Sequence, residues 1–150
     1  EKFIEHVNDN KLIYEASDLG EVYAIALART LGAISVVTDD IKERGPHYYL
    51  LREIDSDILP FAFYELILLD YLEGKITPED FVKQFNLVND ILINRMNMES
   101  KIKSFIRRFW ISPYTERDRQ WIKGFCERLK IIPKQKLALL NEYIEKNKRQ

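Results

Sequence analysis

The chain has 150 residues, 31% of them charged, a net charge of −1 and a single cysteine. That length suits one domain, or a domain remainder with an appendage, and is enough to bury a core. One cysteine excludes an intramolecular disulfide framework and fits a reducing cytoplasm; the most apolar stretch, ILPFAFYELILLDYL, is broken by Glu65 and Asp70, so neither a membrane span nor a signal peptide is expected.

Glu1 stands inside what reads as a helix through about Val7, which points to a fragment or to the ordered part of a longer chain. Asn8-Asp9-Asn10 reads as a turn, and Leu12 to Tyr14 as a short extended piece. The stretch Asp18 to Asp40, DLGEVYAIALARTLGAISVVTDD, reads as one helix and one buried strand. Ala24, Leu27, Ala28 and Leu31 share a helical stripe with Val22 and Ile25 beside them, Gly32 stands where a left-handed cap belongs, and Ile34 to Val37 is the β-branched run of a parallel strand.

Helix and strand of nearly equal length bring the first helical turn back beside the strand end. Glu21 therefore falls close to Asp39 and Asp40. Two readings stand open there. Three converging carboxylates suit a hard cation such as Mg²⁺ or Mn²⁺. Equally, Asp18 and Glu21 have capping-box spacing, and Asp39-Asp40 would cap a short helix over Ile41 to Arg44.

The run LGEVYAIALARTLGAISVVTDDIKER resembles the second half of a PIN-domain nuclease, in particular the prokaryotic, toxin-like branch with a GEAEAIALA-like helix and an LxTDDKxAR-like strand end. FIEHVNDNKLIYEASDLGE upstream and GKITPEDFVKQFNLV downstream fit the flanking helices, so the resemblance covers residues 1–90. It implies a parallel-sheet α/β/α sandwich that cleaves RNA phosphodiesters with clustered acids and Mg²⁺ or Mn²⁺. Glu21 matches the helix-borne acid, Asp40 the strand-end acid, and Asp39 an additional ligand; all three are the candidate catalytic and metal residues. Lys42 and Arg44, just past them, are candidates to steer the RNA backbone. The family's opening strand of type hydrophobic-D-T/S-N/S has no counterpart here, so its aspartate is expected from an N-terminal segment or a partner protein.

His47 to Leu51 with Arg52 to Ile54 reads as a second strand, which would complete a parallel remnant with Ile34 to Val37. Asp57 to Glu73 reads as a helix apolar nearly all round, buried in the core or in an interface with a partner or a second copy. Thr77-Pro78-Glu79-Asp80 is a helix start with Phe81, Phe85 and Val88 as the buried stripe. Residues 91–150 read as an all-α extension: a helix from about Asp90 to Trp110 interrupted near Asn97, a second from a Thr115–Asp118 cap through Leu129, and a third from Pro133 with Leu137, Leu140 and Ile144 inward.

Charge divides along the chain. Residues 1–94 hold eight Lys/Arg against eighteen Asp/Glu, and residues 95–150 fifteen against six. A basic segment behind an acidic one points to an anionic partner or to docking of one part on the other. In the basic part, Arg107, Arg108, Arg117 and Arg119 accompany Trp110 and Trp121, the interleaving that contacts phosphates and stacks on unpaired bases. The candidate partners are thus RNA or another nucleic acid and a protein. Two further readings stay beside the nuclease: a PIN-like scaffold that binds a partner without catalysis, and a nucleic-acid module acting through the helical extension. His6 and His47 have no partner at ligand spacing, and Cys126 reads as a small apolar core group.

Overall fold

Two three-residue strands, β1 (Ser35–Val37) and β2 (Leu59–Phe61), pair in parallel in the computed structural model, with Ser35 opposite Leu59, Val36 opposite Pro60 and Val37 opposite Phe61. The described residues are 1–13, 19–38 and 58–148, without the side chains at 12, 13, 21 and 148. They fall into two units, Glu1–Phe63 and Tyr64–Gln150. Most of them are helical, so the coarse class is a small parallel α/β unit with a larger helical one. The expected strand at His47 to Ile54, the short helix at Ile41 to Arg44 and the cap at Asp18 lie outside the described residues.

In the first unit, α1 (Lys2–Ile13) packs on α2 (Leu19–Leu31) around Val7, Val22, Ile25, Ala26, Ala28 and Ile58. The expected turn at Asn8-Asp9-Asn10 is instead helix, and Leu12 and Ile13 continue it. Tertiary bonding overrides the local turn preference: Asn10 is fully buried and its Nδ2 donates to the Val22 carbonyl of α2 at 2.9 Å. The buried stripe of α2 is also rotated from the expected one. Val22, Ile25 and Ala26 face the core, while Ala24 is exposed and Leu27 and Leu31 are 50% and 72% exposed. A stripe read from spacing cannot tell which of two apolar faces meets α1, and the small Ala26 and Ala28 admit the closer approach.

The end of α2 follows expectation, but the strand after it is not the buried one expected over Ile34 to Val37: it starts at Ser35, its first two residues are half-buried, and Ile34 and Val37 are exposed. Gly32 adopts φ +65°, its N–H bonds the Arg29 carbonyl at 3.1 Å and the Ala33 N–H bonds Ala28 at 2.9 Å, a double closure that turns the chain straight into β1. The helix expected from Asp57 begins only at Phe63, because residues 58–61 are a buried extended segment. Pro60 explains this. A proline there would remove an α-helical bond and bias Leu59 to extended backbone. In β2 the ladder uses the Leu59 N–H and the Phe61 carbonyl, so the missing N–H of Pro60 costs the β1–β2 pair nothing.

In the second unit, α3 (Phe63–Glu73) buries Glu65, Ile67, Leu68, Leu69, Tyr71 and Leu72, which is burial on nearly every side. It ends at Gly74, φ +86°, where the Lys75 N–H bonds the Asp70 carbonyl. Helix α4 (Pro78–Asn89) opens as expected, with Thr77 and Asp80 capping each other, and buries Phe81 and Phe85. Beyond it the Asn89 side chain brackets the Met96 peptide, accepting its N–H at 2.6 Å and donating to its carbonyl at 3.0 Å, which closes the loop before Asn97 caps α5 (Met98–Ile106).

Helix α5 continues as one wide π-helical turn, Arg107–Ile111, closed by the Ser112 N–H on the Arg107 carbonyl at 2.8 Å. It is followed by α6 (Glu116–Leu129), capped by Thr115, and α7 (Pro133–Lys148), whose Leu137, Leu140 and Ile144 are buried as expected. Tyr71 of α3 ties α7 down through its hydroxyl on the Lys136 carbonyl at 2.8 Å. No helix among the described residues is long and apolar enough to cross a membrane.

Candidate functional site

The parallel pair defines a carboxyl edge in the first unit. Val37 and Phe61 end the two strands in register, and the Thr38 N–H bonds the Phe61 carbonyl at 2.9 Å. Ligands of open parallel sheets bind at this edge, where loops leave the strands. Asp39 and Asp40 follow Thr38 directly in the chain; with Lys42 and Arg44 they lie outside the described residues. The 13 residues of α2 make a helix about 20 Å long, and after the turn at Gly32 the chain returns through the three-residue strand β1. Glu21 is the third residue of that helix, so its backbone belongs to the first turn, at the end opposite Gly32.

Asn10 anchors this turn through its bond to the carbonyl of Val22, next in the chain after Glu21. Its own Oδ1 is buried with no hydrogen-bond partner among the described residues. Among the described residues no three His, Cys, Asp or Glu side chains come together. The donor set read from sequence, Glu21, Asp39 and Asp40, is all oxygen, and the side chains of the three lie outside the described residues.

The basic residues of the second unit separate into two groups. Arg108, expected among the nucleic-acid contacts, is 1% exposed and lies between two buried carboxylates, its Nη1 donating to Glu65 of α3 and its Nη2 to Asp118 of α6 at 3.0 Å. Its guanidinium also stacks 4.6 Å from the Phe109 ring. Arg108 therefore leaves the phosphate-contacting set, because the wide π turn carries it inward with Phe109. Asp118 joins it: the Thr115 hydroxyl accepts the Asp118 N–H at 3.2 Å, but the Asp118 carboxylate serves Arg108.

Arg107 and Arg119 are exposed, Arg117 and Trp121 half-buried, and Trp110 is 36% exposed. Trp121 stacks on Phe125 at 5.4 Å and belongs to the aromatic core with Phe105 and Phe109. Trp110 stands at the rim of that cluster, edge-on to Phe105 at 5.6 Å and to Phe109 at 6.2 Å. Next to it opens a cavity of about 360 Å³ between the π turn and α6. Of its eight lining residues only Trp110 and Arg119 stood in the candidate set read from sequence; Phe109, Ile122, Lys123, Cys126, Glu127 and Pro133 did not. Arg119, Lys123 and Cys126 recur at helical spacing on α6, and that periodicity was the only sequence signal for the cavity. Burial pushes the Cys126 thiol up, which keeps it protonated and unreactive at neutral pH.

No protein-family model, curated protein or solved structure matches the chain.

Proposed function

We propose that the chain is the metal-dependent part of a PIN-type endoribonuclease, with Glu21, Asp39 and Asp40 as its acidic cluster. The observation that carries this reading is the parallel pair whose carboxyl edge at Thr38 runs directly into Asp39-Asp40, fed by a helix that has Glu21 in its first turn. In this reading Glu21 and Asp40 hold a Mg²⁺ or Mn²⁺ ion and Asp39 supplies a further oxygen ligand or orients one.

When bound, such an ion lowers the pKa of a coordinated water and offsets charge on a phosphate. The chain's own residues place the acids, keep the first turn of α2 in position through Asn10, and meet the RNA backbone with Lys42 and Arg44. Cations at those positions hold the phosphate against the acidic cluster, which would otherwise repel it.

The test is calorimetric titration of Mn²⁺ into the intact protein beside Asp40→Asn, followed by an RNA-cleavage screen with both. Saturable binding and cleavage that disappear together in Asp40→Asn support the reading. An Asp40→Asn protein that cleaves at full rate rules it out.

A further inference from the structure

We propose that the cavity between the π turn and α6 binds an unpaired nucleotide of a single-stranded nucleic acid, with Trp110 stacking on its base and Arg119 and Lys123 on its phosphate. The floor is apolar: Phe109 is fully buried, Ile122 is 1% exposed, and Cys126 and Pro133 complete it. An apolar floor of this size excludes a bare ion as occupant and suits a flat, weakly polar body. Trp110 stands at its mouth with over a third of its surface open, while its two edge-on ring contacts hold the indole in place. A pre-ordered aromatic face loses little entropy on stacking.

The charges select the occupant. Arg119 and Lys123 stand one helical turn apart on the cavity wall, 59% and 73% exposed. Arg119 pairs with Glu116 at 3.5 Å and Lys123 with Glu127 at 3.9 Å, both in solvent. Exposed pairs of that length add little to stability, so a phosphate can take either cation over at little cost. Residues 95–150 carry fifteen Lys/Arg against six Asp/Glu, so a polyanion is drawn to this part of the chain. A flat aromatic face beside two exchangeable cations matches one nucleotide, base and phosphate together, and a duplex hides the base face that Trp110 would need.

This site does not depend on the acidic cluster of the first unit. It is therefore tested in EDTA on an Asp40→Asn background, where metal binding and cleavage play no part. Fluorescence anisotropy would follow labelled oligo-U RNA, oligo-dT DNA of the same length and an RNA duplex. The single strands should bind more tightly than the duplex, and Trp110→Ala should weaken them about ten-fold, with Trp110→Phe recovering most of the loss. The Arg119→Gln/Lys123→Gln double variant, whose residues are exposed and whose fold is safe, should lower the slope of log affinity against log salt by about 0.7, the share of one phosphate on a single strand. The RNA and DNA arms tell which strand is read. Absence of binding, or affinity unchanged by both Trp110→Ala and the double variant, overturns the proposal.

Discussion

At the scale of single residues, Arg108 decides most. A cation between Glu65 and Asp118 links α3, the π turn and α6, and each of the three charges is at least 99% removed from solvent. Taking out one partner of a buried ionic group leaves uncompensated charge and costs about 3–5 kcal/mol. Arg108→Ala should therefore destabilise the second unit by that amount, more than any exposed Lys→Ala change in the same helices. Both tryptophans lie in this unit, so their fluorescence in a urea titration reads it directly. Lys130 is the opposite case. It closes α6 at φ +54°, with the Ile131 N–H on the Cys126 carbonyl at 3.0 Å, a position where glycine is at ease and lysine is not. Left-handed backbone costs a side-chain residue about 1–2 kcal/mol, and the extra freedom of glycine in the unfolded chain returns part of that. Lys130→Gly should raise the urea midpoint by the equivalent of about 0.5–1 kcal/mol, and a lower midpoint would show that Lys130 makes a compensating contact.

At the scale of elements, helix ends were the most legible part of the sequence. Gly32, Gly74, Thr77, Thr115 and Pro133 all punctuate helices where residue chemistry says they should. Their signal is local: one side-chain oxygen or one missing Cβ acts within four residues. The cap of α4 carries a pH dependence. The Thr77 hydroxyl and backbone N–H on the Asp80 carboxylate hold it below the ordinary aspartate value. A depressed carboxylate adds stability above its ordinary pKa of about 3.9, and that stability is lost as pH falls through the depressed value. Thr77→Ala should cost about 1 kcal/mol near neutrality, as loss of an N-cap does. The gap between wild type and variant should narrow below about pH 4, and a gap constant to pH 2 would remove Asp80 from the account.

Elements whose identity depends on a distant partner were less legible. β2 was hidden inside an apolar run that also reads as helix; Pro60 biases the segment to extended backbone, and pairing with β1 makes it a strand. The turn reading of Asn8-Asp9-Asn10 failed for the same reason, since the amide of Asn10 has its partner twelve residues away. The helix expected from about Asp90 begins only at Met98, so the interruption read near Asn97 is the helix start, and the bracket of Asn89 on Met96 was not legible because it joins residues seven apart with no periodic pattern.

At the scale of the whole molecule, the units divide between Phe63 and Tyr64, so α3 and α4, within the PIN resemblance, belong with the basic helices. The acidic excess before residue 95 is accordingly shared: Glu65 is acidic by sequence but its carboxylate meets a cation of the extension. Charge asymmetry read from sequence therefore points to an anionic partner only for the cations left outside such pairs, and Arg119 and Lys123 are exposed enough to answer it. The Mn²⁺ titration and the oligonucleotide titration address different units, so each result stands without the other.

By itself the sequence determined the caps, the helix–glycine–strand succession from Leu19 to Val37, the inward Phe81 and Phe85 of α4 and the inward face of α7, because these follow from backbone preference and spacing over a few residues. Tertiary structure alone decided which face of α2 is buried, that residues 59–61 are a strand, and that Arg108 is a buried link while Trp110 stands 36% exposed at the rim of the aromatic cluster. Those outcomes depend on which surfaces meet, and desolvation of a charge or pairing of a strand is set by partners that can stand tens of residues away.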